Sequence, residues 1–169
     1  MGDRVFGCLY STGKPYLLGG GDCDTDGLGG VGAFRLLDRY VAYSATTCNI
    51  DQAKAHVRVR NLRTGAKPIV VDASPSFRDM LDIGRYFVSD LELKANGSVA
   101  WIVKLDIEGV PRIREVRKTD GTVAKNAMGF RDQSVLLDSG DQIDSRSLAL
   151  SGLSLSWTNG GMGRSASVR

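Results

Sequence analysis

Proline and histidine are scarce in this chain, with four and one among 169 residues. So few prolines argue against a proline-rich disordered segment. A single histidine, His56, leaves little room for Ser-His-Asp or Cys-His catalysis, and there is no G-x-S-x-G turn to present a nucleophilic serine. Neither sign of charge dominates: 22 Lys+Arg stand against 19 Asp+Glu, a net +3. That is too mild for an electrostatic footprint on DNA or RNA, so no nucleic-acid partner is expected. No apolar run approaches the roughly 20 residues a membrane helix needs, so no membrane span is expected. Met1-Gly2-Asp3-Arg4 leads straight into strand-like sequence, which is not a signal peptide. None of the three cysteines, Cys8, Cys23 and Cys48, sits in a C-x-x-C pair, which disfavours a zinc knuckle or thioredoxin motif. No window sustains a helical period; the run from Ser76 to Asp82 makes a single turn at most.

What is plentiful is glycine, 21 residues of it, distributed as turns demand. Three aromatic-ended runs recur: Val41-Ala42-Tyr43, Val99-Ala100-Trp101 and Leu155-Ser156-Trp157, with the aromatics 58 and 56 residues apart. Each follows a short apolar run and a turn, at Asp38-Arg39, Asn96-Gly97 and Ser151-Gly152. Asn-Gly between alternating runs is a strong hairpin signal, because both residues tolerate positive φ. A second hairpin pattern recurs as Val57 to Gly65 then Lys67 to Val71, as Ile113 to Gly121 then Thr122 to Ala124, and as Val5 to Gly13 then Lys14 to Leu18. The turn glycines Gly13, Gly65 and Gly121 are 52 and 56 residues apart, and 61 when wrapped round the chain ends. The pattern predicts one all-β domain over 1–169, made of three four-stranded antiparallel repeats. One repeat is split between the termini. The split predicts that the strand around Val5 to Tyr10 pairs with Leu153 to Thr158 or Arg164 to Val168 and closes the fold, since closure removes open sheet edges.

The runs Arg39 to Tyr43, Val57 to Gly65 and Leu93 to Trp101 resemble blades of TolB-like or WD40-like β-propellers. The ending Ser151 to Thr158 is also similar to that of uncharacterised secreted proteins of actinobacteria. The resemblance implies a β-propeller-like architecture. Propellers usually have four to eight blades, so two chains would combine into a six-bladed homodimeric ring. A β-trefoil, which also uses three four-stranded repeats, is the alternative.

Several residues invite a chemical reading. Gly21 to Gly27 contains D-x-D-x-D-G, the opening of a calcium loop, with Asp22, Asp24 and Asp26 as ligands and the Leu28 carbonyl behind them. The twelfth position of an EF-hand loop is Ala33 and the ninth Gly30, so the usual further acids are missing; the plainer reading is a solvated acidic loop. Cys23–Cys48 is the first choice for a disulfide and Cys8–Cys48 the second, against three separate thiols. Arg58 and Arg60, with Arg112 and Arg114, make either a basic patch or a solvated outer face. His56, at the start of a strand, reads as a surface residue. Tyr43, Trp101 and Trp157 read as packing between repeats more readily than as a sugar platform. Gly19-Gly20-Gly21 precedes no helix that would cradle a phosphate. Asp138, Asp141 and Asp144 are scattered acids on which a glycosidase would draw.

The function these features favour is a non-catalytic binding or scaffolding module, extracellular or at the cell surface, holding a protein or a glycan in loops at one end of the repeats. A glycoside hydrolase using loop carboxylates and a calcium-stabilised structural domain are the alternatives.

Overall fold

The alternation Ala53-Lys54-Ala55-His56-Val57-Arg58-Val59-Arg60 puts every second side chain on one face. It folds as a strand whose alanines and valines are buried and whose intervening side chains are half-buried. A computed structural model describes residues 3–20, 30–48, 53–76, 85–106, 112–120, 130–131 and 134–169. Fourteen strands and no α-helix occur among them, in the all-β class that the sequence predicts. They are β1 (Arg4–Cys8), β2 (Pro15–Gly20), β3 (Gly30–Leu37), β4 (Tyr40–Cys48), β5 (Ala53–Asn61), β6 (Ile69–Asp72) and β7 (Arg85–Leu93). The series continues with β8 (Val99–Asp106), β9 (Arg114–Thr119), β10 (Phe130–Arg131), β11 (Val135–Gly140), β12 (Ala149–Ser151), β13 (Ser154–Asn159) and β14 (Met162–Ser167).

An eleven-stranded sheet runs in the order β1-β2-β3-β4-β5-β7-β8-β9-β11, with β6 added on β5 and β10 on β6; β12, β13 and β14 form a separate sheet. The three aromatic hairpins are present as β3–β4, β7–β8 and β12–β13. Each turn carries positive φ: Asp38 at 52° and Gly152 at 58° each open a tight turn, and Gly97 at 88° lies in the longer turn between Leu93 and Val99. Gly13 and Gly65, at 62° and 67°, turn the β1–β2 and β5–β6 hairpins. Gly121 and the expected strand Thr122 to Ala124 lie outside the described residues.

The core falls into three clusters, each between successive strand groups. In the first, Tyr43 and Val41 on β4 pack against Leu18 on β2, with Val5 and Tyr16 alongside. In the second, Trp101, Val99 and Val103 on β8 pack with Leu91 of β7 on Ala42, Ala55, Val57 and Val71 of β4–β6. In the third, Trp157 and Leu155 on β13 pack on Ala100, Ile102 and Val116 of β8–β9. Strand β8 serves two clusters, one with each face, which is why Val99 to Val103 is a continuous buried run and not an alternating one.

The sheets do not close. The first strand, β1, pairs with β2, and the last, β14, pairs with β13, so among the described residues the expected pairing of the two chain ends does not form. The reason lies in β14. It already lies beside β13 where β5 lies beside β4 and β9 beside β8, so the place expected for β1 is filled. The hairpin β1–β2 instead packs on β4, in a cluster that shares no residue with the one around β12–β14. No helix among the described residues is long and apolar enough to cross a membrane.

Candidate functional site

The first strands of the three aromatic hairpins, β3, β7 and β12, converge on one open cleft of about 390 Å³. Its wall is built from equivalent places in the three hairpins. Leu36, Leu93 and Leu150 stand 57 residues apart in each step and all three line it, with Arg35, Glu92 and Lys94 supplying charge. Leu36 is exposed, Leu150 half-buried and Leu93 buried, so the apolar lining passes from solvent down to the core.

A bulge organises this junction. The register of β7 on β8 shifts between Val88, opposite Val103, and Asp90, opposite Ile102, which makes Ser89 the extra residue. A bulge re-aims the side chains that follow it. Here it keeps Leu91 and Leu93 in the core with Tyr86 and Val88, and directs the buried Asp90 carboxylate to the meeting point of the three strands. Asp90 accepts from the Leu91 amide at 2.9 Å and from the Leu148 amide, just before β12, at 3.0 Å. The Arg35 guanidinium on β3 lies 3.5 Å from Asp90 and 3.4 Å from Glu92. With its side chain 46% exposed, Arg35 adds only about 0–1 kcal/mol through its pair with Glu92, and Asp90 keeps two amide donors when Arg35 turns away. Its guanidinium is therefore free to re-pair with a ligand carboxylate or carbonyl at little loss. Apolar anchors beside a half-exposed arginine, a glutamate and a lysine suit a ligand with an apolar body and polar groups of both kinds.

The sequence-predicted residues distribute differently. Asp22, Asp24, Asp26, Leu28 and Cys23 lie outside the described residues, as does the Cys48 side chain, so the calcium loop and the Cys23–Cys48 bridge do too. Among the described residues no group of three or more His, Cys, Asp or Glu gathers in a way that would hold a metal ion. The second-choice bridge, Cys8–Cys48, is corrected: Cys8 is a free, exposed thiol whose nearest polar partner is the Leu9 carbonyl at 3.6 Å. The alternation of β1 turns it outward, beside Phe6 and away from β4.

Tyr43, Trp101 and Trp157 are 1%, 0% and 5% exposed and pack between strand groups. The Trp101 indole N–H donates to the Ala73 carbonyl at 2.8 Å. Arg60 is half-buried, on the same face of β5 as Arg58. It lies over the Tyr16 ring at 4.4 Å and donates to the Leu17 carbonyl at 3.3 Å, which fastens β5 to the β1–β2 hairpin. Arg114 donates to the Asp141 carbonyl at 2.6 Å. His56 sits in the middle of β5, half-buried, opposite Ala45 and Asp72, and not at a strand start on the surface.

Of the three scattered acids, Asp144 accepts the Arg146 amide at 3.0 Å within its own turn. Asp138 accepts from the Trp157 indole at 2.7 Å and from the Asn159 amide at 3.0 Å. Burial raises the Asp138 carboxyl's pKa, but these donors, the Ser139 amide and the Arg164 charge outweigh it and hold it below the ordinary value. A glycosidase general acid needs the opposite shift.

Sequence reasoning missed the Leu36–Leu93–Leu150 trio and Asp90. The constant 57-residue step was the available signal for the leucines; for Asp90 there was none, because a bulge at Ser89 has no mark in the sequence. No known protein family, curated protein or solved structure matches the chain.

Proposed function

We propose that the chain is a non-catalytic binding module of propeller-like blade units that receives a segment of a partner protein in the cleft between β3, β7 and β12. The observation that carries this reading is the convergence of Leu36, Leu93 and Leu150 beside Arg35, Glu92 and Lys94. An apolar patch rimmed by polar and charged side chains marks a protein-interaction site. Leucines line the cleft where a sugar site would present aromatic rings, and this favours a protein over a glycan. The blade-like reading draws support from a positive φ in each of the three turns and from the three buried aromatics at matching places. It also draws on the way each aromatic packs on the strand group before it.

The test is selection of an unbiased phage-displayed peptide library on the immobilised chain, followed by affinity measurement on Leu36→Asp and Leu150→Asp. Leu36 is exposed, whereas Leu150 is half-buried against the Trp157 cluster, so a cooperative melt of each variant checks its fold. Enriched peptides should lose about tenfold or more in affinity to each variant, as expected when an anchor side chain is removed. Peptides that bind both variants as tightly as the unaltered chain, or a selection that enriches none, would overturn the reading. Turnover on a polysaccharide panel would favour the hydrolase instead.

A further inference from the structure

The chain builds the same kind of contact three times. At each, the later strand group offers a large apolar face and the earlier one receives it on smaller side chains: Tyr43 goes onto the β1–β2 hairpin, Trp101 onto Ala42 and Ala55, and Trp157 onto Ala100 and Ile102. Receiving faces in this fold bury hydroxyls as well, since Ser44 and Thr46 on β4 are 2% and 8% exposed.

One face of each kind is left open, at opposite ends of the series. At the β1–β2 end, Phe6 and Leu17 are cross-strand partners and so share a face; they are 54% and 40% exposed. Cys8 and Pro15, the next pair on that face, are exposed too. This is the side turned away from β4, so it is an offering face that nothing among the described residues receives. At the other end, cross-strand pairing puts Ser154 with Ser167 and Ser156 with Ser165 on the outer face of β12–β14, all exposed. Ser156 precedes Trp157 as Ala42 precedes Tyr43 and Ala100 precedes Trp101, and Thr158 follows Trp157 as Ser44 follows Tyr43. The outer face of β13 thus occupies the register of the two receiving faces already in use.

We infer that this chain associates with a second copy of itself head to tail, the Phe6–Leu17 face of one copy seated on the Ser156–Ser165 face of the other. The occupant is argued from continuity with the interface the chain already makes within itself: the two open ends are the two halves of that interface. Such a contact is heterologous, with two different surfaces meeting. Two copies close on each other if each supplies both faces, and otherwise the contact extends to further copies. The face is separate from the cleft, so peptide capture and self-association succeed or fail independently.

Sedimentation of the full 169-residue chain over a concentration series tests this, with Phe6→Asp and Ser156→Arg as single variants. The unaltered chain should associate, and each variant alone should sediment as a monomer. An equimolar mixture of the two should associate again, because each variant keeps the face the other has lost. A chain that stays monomeric at its highest soluble concentration would overturn the inference. So would association that survives either substitution, or a mixture that remains monomeric. Both sites are exposed, and a cooperative melt of each variant checks its fold. Leu17→Asp and Ser165→Arg, at the paired positions, stand in where a melt is not cooperative.

Discussion

Trp157 donates its indole N–H to the Asp138 carboxylate across 2.7 Å, and that contact joins the two sheets. Asp138 stands on β11 at the edge of the eleven-stranded sheet, and Trp157 on the middle strand of the three-stranded one. Asn159 adds a second donor from β13 at 3.0 Å. Nearby, Lys94 and Lys118 donate to the Val168 and Ser167 carbonyls, each at 2.8 Å, so the end of the small sheet is fastened as well.

The pH dependence of stability follows from Asp138. Its carboxyl is held below the ordinary value in the folded chain. Its contribution is therefore fully present above the unfolded carboxyl's pKa, about 3.9, and is lost as pH falls through the lower, folded value. Thermal melts from neutral pH down to about pH 2 should show the unaltered chain losing more stability in acid than Asp138→Asn, which lacks the titrating group. Parallel curves would mean that Asp138 is not a source of the acid sensitivity.

A second network is built around a buried ion pair, Glu115 with Arg117. Glu115 on β9 accepts from Arg117 Nε and from the Ser74 hydroxyl, each at 2.7 Å, and Arg117 also donates to the Ser76 and Ser134 hydroxyls at 2.7 Å. Removing one partner leaves the other charge buried and unpaired, at about 3–5 kcal/mol. Urea unfolding of Glu115→Ala should show a loss of that order. The double variant Glu115→Leu, Arg117→Met should lose clearly less, because it leaves no charge behind. Equal losses would place the cost in packing and not in the stranded arginine.

The two glycines that turn the β1–β2 and β5–β6 hairpins differ in surroundings. A Cβ at Gly13 would meet nothing within 4 Å, whereas one at Gly65 would meet the Tyr16 hydroxyl at 2.5 Å. Both sit at positive φ, so alanine costs about 1 kcal/mol at either through backbone strain. Gly65→Ala should cost more than Gly13→Ala, since Tyr16 must leave its place beneath Arg60. Denaturant midpoints of the two variants settle the order, and equal midpoints would show that Tyr16 moves aside freely.

Cys8 should be modified quickly by a water-soluble thiol reagent in the folded chain, because it is exposed and free. Peptide mapping after brief labelling should place an adduct on Cys8. Protection there, reversed by a reductant, would show that Cys8 is in a disulfide after all.

Much of the local structure was legible before the fold was seen. The three turns at Asp38, Gly97 and Gly152 were readable because positive φ selects few residues, and the aromatics at 43, 101 and 157 marked the buried strands that follow. The spatial plan was less legible. Asn159-Gly160-Gly161, with both glycines at positive φ, is the local signal that Met162 to Ser167 folds back on β13 as β14, and that hairpin displaces the expected pairing of the chain ends. Arg60 looked like a solvated charge because alternation gives a face, not what covers it; the Tyr16 ring covers it. The cleft was half legible: its leucines keep a period, while the Asp90 junction depends on a bulge and on the amide of Leu148, 58 residues away.

Hydrogen exchange of the full chain with and without a selected peptide shows whether the three first strands form one binding surface. Exchange should slow in three separate stretches, 35–37, 92–95 and 150–152, with the β1–β2 hairpin unchanged. Protection confined to β1–β2, or to only one of those stretches, would contradict it.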